Sequence, residues 1–204
     1  MKSTKAPLIA ISRHRLAIDG KGITTLVGFH GCPLNCEFCI NKRSLAMSPI
    51  CKISVSELLE RLMADNIYYL ATGGGVTFGG GEPLLFYEFI YDLVAIMPKE
   101  WNITMETSLN VPLDNLKKVA PYIHEFIIDI KDMDYTIYKK YTGKNNNNVL
   151  SNLKWLKDNG YSDKVIIRIP LIPNYNTKDN QIQSMAKLEE MGFNRFDKFH
   201  YIIR

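Results

Sequence analysis

Two hydrophobic periods alternate along this chain. Residues 23–30 (ITTLVGFH) are rich in β-branched and aromatic side chains and predict a strand. Residues 54–66 switch to a helical period, with Val55, Leu58, Leu59, Leu62 and Met63 on one face. Ser54 and Glu57 supply a capping box at its start. Residues 76–78 predict a short strand between two glycine triplets, and Pro83 suits the first turn of a helix running to about Met97. Strands follow at 102–107, 125–130, 165–171 and 196–203. Helices lie between them at 113–120, 135–141, 149–159 and 178–191, with Gly160 and Gly192 as stops. Residues 143–148 read as a polar loop, and the run Asn145 to Asn148 within it needs no function. The order, strand then helix and ending on a strand, predicts an α/β fold with a parallel sheet and right-handed crossovers. Six strands fit a doubly wound sheet or an open, partial barrel, and no linker divides residues 1–204 into domains.

Composition narrows the class. At 204 residues, 46% hydrophobic and 23% charged, the chain is an ordinary globular one that buries a core without staples. No apolar run approaches the length of a membrane span, and residues 1–12 lack the apolar stretch of a secretory signal. A cytoplasmic protein without a membrane partner is expected. The net charge of +4 is spread along the chain and forms no stripe for nucleic acid. The four cysteines are too few for a disulfide scaffold. Cys32, Cys36 and Cys39 are clustered, and Cys51 stands apart.

The cluster has the spacing C-x3-C-x2-C and follows the first predicted strand. Thiolates suit both iron–sulfur clusters and zinc. A structural zinc site wants four ligands, usually as two knuckles. No second C-x2-C follows, although His30 or Cys51 would serve as a fourth ligand. A 4Fe–4S cluster on three thiolates, which leaves one iron open to a non-protein ligand, is the better reading, with a zinc knuckle or inert buried cysteines as the bland alternative. Gly79, Gly80, Gly81, Glu82 and Pro83 follow the second strand. The glycines allow close approach to the backbone and expose N–H groups, and Glu82 would accept from an ammonium. No Gly-Lys-Ser/Thr follows, which excludes a phosphate-binding loop, and a tight turn before a helix is the plainer reading. Glu106, Asp129, Lys131 and Arg168 fall at or near the carboxyl ends of later strands, where β/α folds place their sites. Each alone would be a solvated charge or an ion pair. Asp129 and Lys131 are two residues apart and leave the strand on one face, where the buried pair needs each other or a ligand.

These segments resemble radical S-adenosylmethionine (SAM) enzymes. More narrowly they are similar to the glycyl-radical-enzyme activating enzymes, of which pyruvate formate-lyase activating enzyme is the best-known member. The likeness rests on HGCPLNCEFCIN (30–41), TGGGVTFGGGEPLL (72–85), ETS (106–108), IDIKDMD (128–134), YTG (141–143) and IRIPLIPNYN (167–176). It implies a partial (β/α)6, TIM-like barrel. Cys32, Cys36 and Cys39 would hold one 4Fe–4S cluster. Gly80, Gly81 and Glu82 would bind the SAM amino group. Phe38 would pack near the adenine, and Asp129 and Lys131 would meet the ribose and carboxylate. Glu106 and Arg168 would join the cofactor-binding set. The implied reaction is reductive cleavage of SAM and removal of a hydrogen from a glycine of a partner glycyl radical enzyme. Flavodoxin or ferredoxin would supply the electron, in an anaerobic cytoplasm.

The chain departs from the family pattern at Lys21, Thr24, Gly79 and Leu109, where Pro, Arg, Ser and Gly are usual. It ends at Arg204, before a Leu-Pro-Tyr-His stretch common in the family, which leaves a truncated end and a short branch both open. Cys51 falls where some members begin a ferredoxin-like insert and reads as a buried small residue. Two rivals remain: a radical SAM enzyme that modifies a peptide or small molecule, and a zinc-stabilised module without catalysis.

Overall fold

The computed structural model describes residues 5–201. Its first strand is one the hydrophobic pattern does not announce. β1 (Lys5–Leu16) pairs antiparallel with β2 (Ile23–Phe29), the first predicted strand. Pro7, Arg13, His14 and Arg15 interrupt its alternation, so only pairing identifies it. After the cysteine segment, α1 (Lys42–Ala46) runs along the surface with no buried side chain. β3 (Cys51–Ser54) then adds to the free edge of β1, with Cys51 opposite Leu8 and packed against the core.

α2 (Val55–Met63) is the predicted amphipathic helix. Its capping box is complete: Ser54 Oγ accepts from Glu57 N at 3.3 Å, and Glu57 Oε2 accepts from Ser54 N at 2.7 Å. The helix ends before Asn66, and Asp65 turns the chain into α3 (Asn66–Thr72). Asp65 stays because its buried carboxylate collects Arg13 Nε at 2.9 Å, His14 Nε2 at 3.0 Å and Thr25 Oγ1 at 3.0 Å. β4 (Gly75–Gly80) follows, then a 3-10 turn at Pro83–Phe86 and α4 (Tyr87–Val94). The remaining units are β5 (Asn102–Thr107), α5 (Leu113–Val119), β6 (Glu125–Asp129), α6 (Tyr135–Thr142) and α7 (Asn147–Asp158). β7 (Val165–Leu171), α8 (Lys178–Glu190) and β8 (Phe196–His200) complete the described chain. Ile202 and Ile203, part of the last predicted strand, lie outside the described residues.

The sheet order is β3-β1-β2-β4-β5-β6-β7-β8. The six predicted strands are mutually parallel, and the two extra strands extend one edge in antiparallel fashion. The sheet does not close on itself, so the barrel is partial. One face is apolar and lies under the helices: Val27, Phe29, Val76, Phe78, Met105, Phe126, Ile128 and Ile167 are all buried there. The alternate residues carry the polar groups. Thr24 Oγ1 donates to Asp19 Oδ1 at 3.0 Å, and Thr77 Oγ1 donates to the Asp19 carbonyl. Gly20 (φ +140°) fits between them, because a Cβ there would stand 3.0 Å from Thr104 Oγ1. Asp19 and Gly20 thus plug the amino-terminal end of the inner face and leave the carboxyl ends of the strands open. Thr24 is part of that plug.

The polar segment 143–148 is not a plain loop. Asn147 and Asn148 form the first turn of α7, Asn146 is buried, and the Asn145 carbonyl accepts from Asn110 Nδ2 at 2.7 Å. The run supports the turn after β5. Among the described residues, no helix is long and apolar enough to cross a membrane.

Candidate active site

Beyond β2 the chain turns at Gly31 (φ +122°) into the cysteine loop. The loop is strapped within the cysteine spacing and again beyond the third cysteine. Asn35 N donates to the Thr142 carbonyl at 2.9 Å, and Asn41 Nδ2 donates to the Gly80 carbonyl at 2.8 Å. Cys32, Cys36 and Cys39 are free thiols that line one cleft of about 460 Å³, a size suited to a cofactor. Cys36 packs against Tyr141 and Ile172. Burial pushes the Cys32 thiol up to about 12 and the Cys36 thiol up to about 11. Both are therefore neutral near pH 7 unless a metal takes the proton's place, since a coordinating thiol is deprotonated by the metal's charge. Among the described residues, no three His, Cys, Asp or Glu side chains converge on the position of a single ion. The three thiols instead face a space larger than one ion.

The glycine run behaves differently from its sequence reading. Gly79 and Gly80 belong to β4 itself, not to a loop after it. Its following N–H groups are not exposed: Gly81 N donates to the Phe29 carbonyl at 2.9 Å, and Glu82 N to the Gly31 carbonyl at 2.7 Å. A Cβ at Gly81 would collide with the Gly31 carbonyl oxygen, and one at Gly80 would lie 2.6 Å from Gly28 Cα. The glycines therefore let β4 lie directly against the cysteine loop. Gly80 and Gly81 line the cleft, and Glu82 does not. The Glu82 side chain is fully buried. It accepts from Thr107 Oγ1 at 2.6 Å, Ser108 Oγ at 2.7 Å, Ser108 N at 2.9 Å and Leu84 N at 3.2 Å. Burial raises its carboxyl pKa, against the pull of these donors.

The charged residues on later strands meet in the same cleft. Asp129 and Lys131 pair through Oδ2 and Nζ, as their spacing predicts, and Lys131 Nζ also donates to Tyr201 Oη at 2.9 Å. Burial works to lower the Lys131 pKa, but Asp129 outweighs it and the ammonium is held well above its usual range. Asp129 Oδ1 is buried with no hydrogen-bond partner. Arg168 NH1 donates to Glu106 Oε1 at 2.8 Å and Arg168 Nε to Asp197 Oδ2 at 3.3 Å. Burial raises the Glu106 carboxyl pKa although Arg168 opposes it. Register explains the convergence: Glu106 pairs with Ile127 and Asp129 with Arg168, so Glu106, Asp129 and Arg168 project from one face of the sheet, and Lys131 follows just beyond the end of β6.

Nine of the eleven predicted site residues line the cleft, and Glu82 and Phe38 do not. The Phe38 ring sits 6.1 Å from Tyr175, 6.2 Å from Tyr141 and 6.5 Å from Tyr201. The cleft also takes Arg15, Asn41, Thr107, Ser108 and Tyr201. Thr107 and Ser108 adjoin Glu106, so their place at a strand end was available as a signal. Arg15 comes from the unannounced strand β1, and Tyr201 lies within the predicted strand 196–203, one residue past β8, where nothing in the sequence assigns its hydroxyl a role.

The residues fit an iron–sulfur cluster with SAM beside it: three free thiols, a buried carboxylate oxygen without a donor, and an ammonium open to the same space. A model of the radical SAM superfamily matches residues 26–188. The chain is 39% identical to the (2S)-3-sulfopropanediol dehydratase activating enzyme of Klebsiella oxytoca, covering 91% of this chain and 78% of that one. It is 32% identical to the pyruvate formate-lyase-activating enzyme of Clostridium pasteurianum, covering 84% and 71%. Among solved structures it is similar to Streptococcus suis SuiB bound to S-adenosylmethionine (TM-score 0.66, 16% identity), over 88% of this chain but only 42% of SuiB, a likeness of fold. By its motif-bearing cleft and by these relatives, the chain belongs to the radical SAM superfamily, which uses a 4Fe–4S cluster and SAM, and within it to the glycyl-radical-enzyme activating enzymes.

Proposed function

We propose that this chain installs a glycyl radical on a partner enzyme. Cys32, Cys36 and Cys39 would hold a 4Fe–4S cluster, with SAM bound beside it in the same cleft. Such a cluster, once reduced, would supply the one electron for splitting SAM into methionine and a 5′-deoxyadenosyl radical, which would leave as 5′-deoxyadenosine on taking a hydrogen atom from a glycine of the partner. Flavodoxin or ferredoxin is the electron donor. The single observation behind this reading is that one cleft of about 460 Å³ gathers the three free thiols, the Gly80–Gly81 edge and the Asp129–Lys131 pair.

The chain's own residues divide the binding work. The free Asp129 oxygen accepts from a ribose hydroxyl, and Lys131 Nζ offers a charge-assisted hydrogen bond to the methionine carboxylate. Gly80 and Gly81 present main chain, with no side chain to crowd the ligand. Glu106 and Arg168 neutralise each other on the wall and leave no unpaired charge against the sulfonium. Phe38 and its three tyrosine neighbours form an aromatic wall behind Cys36 that excludes water from that thiol.

The test is anaerobic reconstitution with iron and sulfide, followed by electron paramagnetic resonance (EPR) of the reduced protein with and without SAM. The expected result is a 4Fe–4S signal that changes shape on adding SAM, and a glycyl radical signal once the partner is supplied. Product formation from a peptide or small molecule with no partner present would replace the activase reading. A colourless protein with about one zinc per chain would overturn the enzymatic one.

A further inference from the structure

We propose that Glu82 is a positioning residue that clamps the cysteine loop to the carboxyl end of β5, and that its carboxylate does not itself touch the cofactor. The proposal rests on the cofactor reading above and assigns this residue a different task within it.

Glu82 is fastened on both sides. Its main-chain N–H donates to the Gly31 carbonyl at 2.7 Å, one residue before Cys32. Its carboxylate takes Thr107 Oγ1 and Leu84 N on one oxygen, and Ser108 N and Ser108 Oγ on the other. A carboxylate offers about four acceptor sites, so these donors leave none for an ammonium. The Thr107 hydroxyl is oriented from behind as well, because it accepts from Leu109 N at 2.9 Å and so directs its own hydrogen at Glu82. Glu82 is absent from the cleft wall, whereas Thr107 and Ser108 are part of it. A buried carboxylate is stable only while its donors stay in place. Any shift of the cysteine loop relative to β5 would break that arrangement. Asn41 Nδ2, on the Gly80 carbonyl, ties the loop to β4 beyond the third cysteine. The loop is thus fixed before Cys32 and after Cys39, and Glu82 is the link that reaches the next strand.

The experiment uses the reconstituted full chain with Glu82→Gln, Ser108→Ala and the double variant. Gln turns an NH2 toward donors that need an acceptor. Three quantities are read: iron and sulfide content, SAM affinity from the EPR change, and hydrogen exchange at the Ser108 amide without SAM. The expected result is wild-type cluster content and SAM binding weakened about tenfold in each single variant, the effect of one unsatisfied buried partner. The double variant should lose little more than Glu82→Gln alone, because the two residues act as one unit. Ser108 exchange should already be faster in Glu82→Gln before SAM is added. Ser108→Ala with wild-type affinity beside a weakened Glu82→Gln would mean that Glu82 meets the cofactor directly, and overturns the proposal. Additive losses, or unchanged Ser108 exchange, overturn it as well. If Glu82→Gln does not fold, Ser108→Ala decides alone: wild-type SAM affinity there is refutation. Failure of the cofactor reading is told apart because it shows in the wild type, as a cluster signal that ignores SAM.

Discussion

Leu109 sets two physical effects against each other. It occupies left-handed backbone (φ +56°), where the family pattern has Gly, and its side chain is fully buried in the core. A non-glycine residue in that conformation is strained by about 1–2 kcal/mol, so pattern alone suggests that Leu109→Gly stabilises. The packing argues the reverse. Removing a buried Leu side chain costs about 2–5 kcal/mol through lost transfer and the cavity left behind, and glycine adds about 0.5–1 kcal/mol of unfolded-state freedom. The net expectation is a loss of about 3 kcal/mol, or roughly 6–12 °C in Tm for a chain of this size. The main-chain bonds that hold the turn do not need the side chain: Leu109 N donates to Thr107 Oγ1 at 2.9 Å, and the Leu109 carbonyl accepts from Asn152 Nδ2 at 2.8 Å. SAM affinity should therefore change little while stability falls. Urea and thermal unfolding of wild type and variant in the same cluster state give both quantities. A variant at least as stable as wild type would refute the reasoning, because strain would then outweigh the buried side chain.

Other substitutions probe the frame and the site. Asp65→Asn should destabilise by about 1–3 kcal/mol at pH 7, a value discounted because the Arg13 partner is half-exposed and screened. Hydrogen bonding from Arg13 holds the Asp65 carboxyl below its usual range. Its contribution is thus present above the unfolded pKa of about 3.9 and is lost as pH falls through the folded value. Urea midpoints of the two proteins should converge below about pH 4, and a constant gap would refute the linkage. Cys36→Ala should abolish the cluster while the far-ultraviolet circular dichroism stays native, and full iron content would remove Cys36 from the ligand set. Asp129→Asn should lower SAM affinity about tenfold by weakening the acceptor and unpairing the buried Lys131, with cluster content unchanged; unaltered affinity would take Asp129 out of the binding site.

Much of the frame was legible because its signals are local. Six parallel strands and their helices follow from residues a few positions apart, and the Ser54–Glu57 cap is complete within four residues. The convergence of Cys36, Glu106, Asp129 and Arg168 was legible for a related reason: parallel strands joined by crossovers bring their carboxyl ends to one rim. β1 and β3 were not, since edge strands with broken alternation are defined by the strand they pair with. The cofactors and the family were carried by the cysteine spacing and the motifs that accompany it.

What the chain could not state locally is where a polar group finds its partner. The glycine run reads as an open cradle, yet its N–H groups are spent on Phe29 and Gly31, more than fifty residues earlier in the chain. Glu82 reads as a ligand, yet its carboxylate is filled by a strand end some twenty-five residues on. The Asn145 to Asn148 run reads as solvated, yet it braces the turn after β5. Hydrophobic period is a property of neighbours in sequence and survives without a fold. Hydrogen-bond satisfaction is a property of neighbours in space, and only tertiary structure decides it.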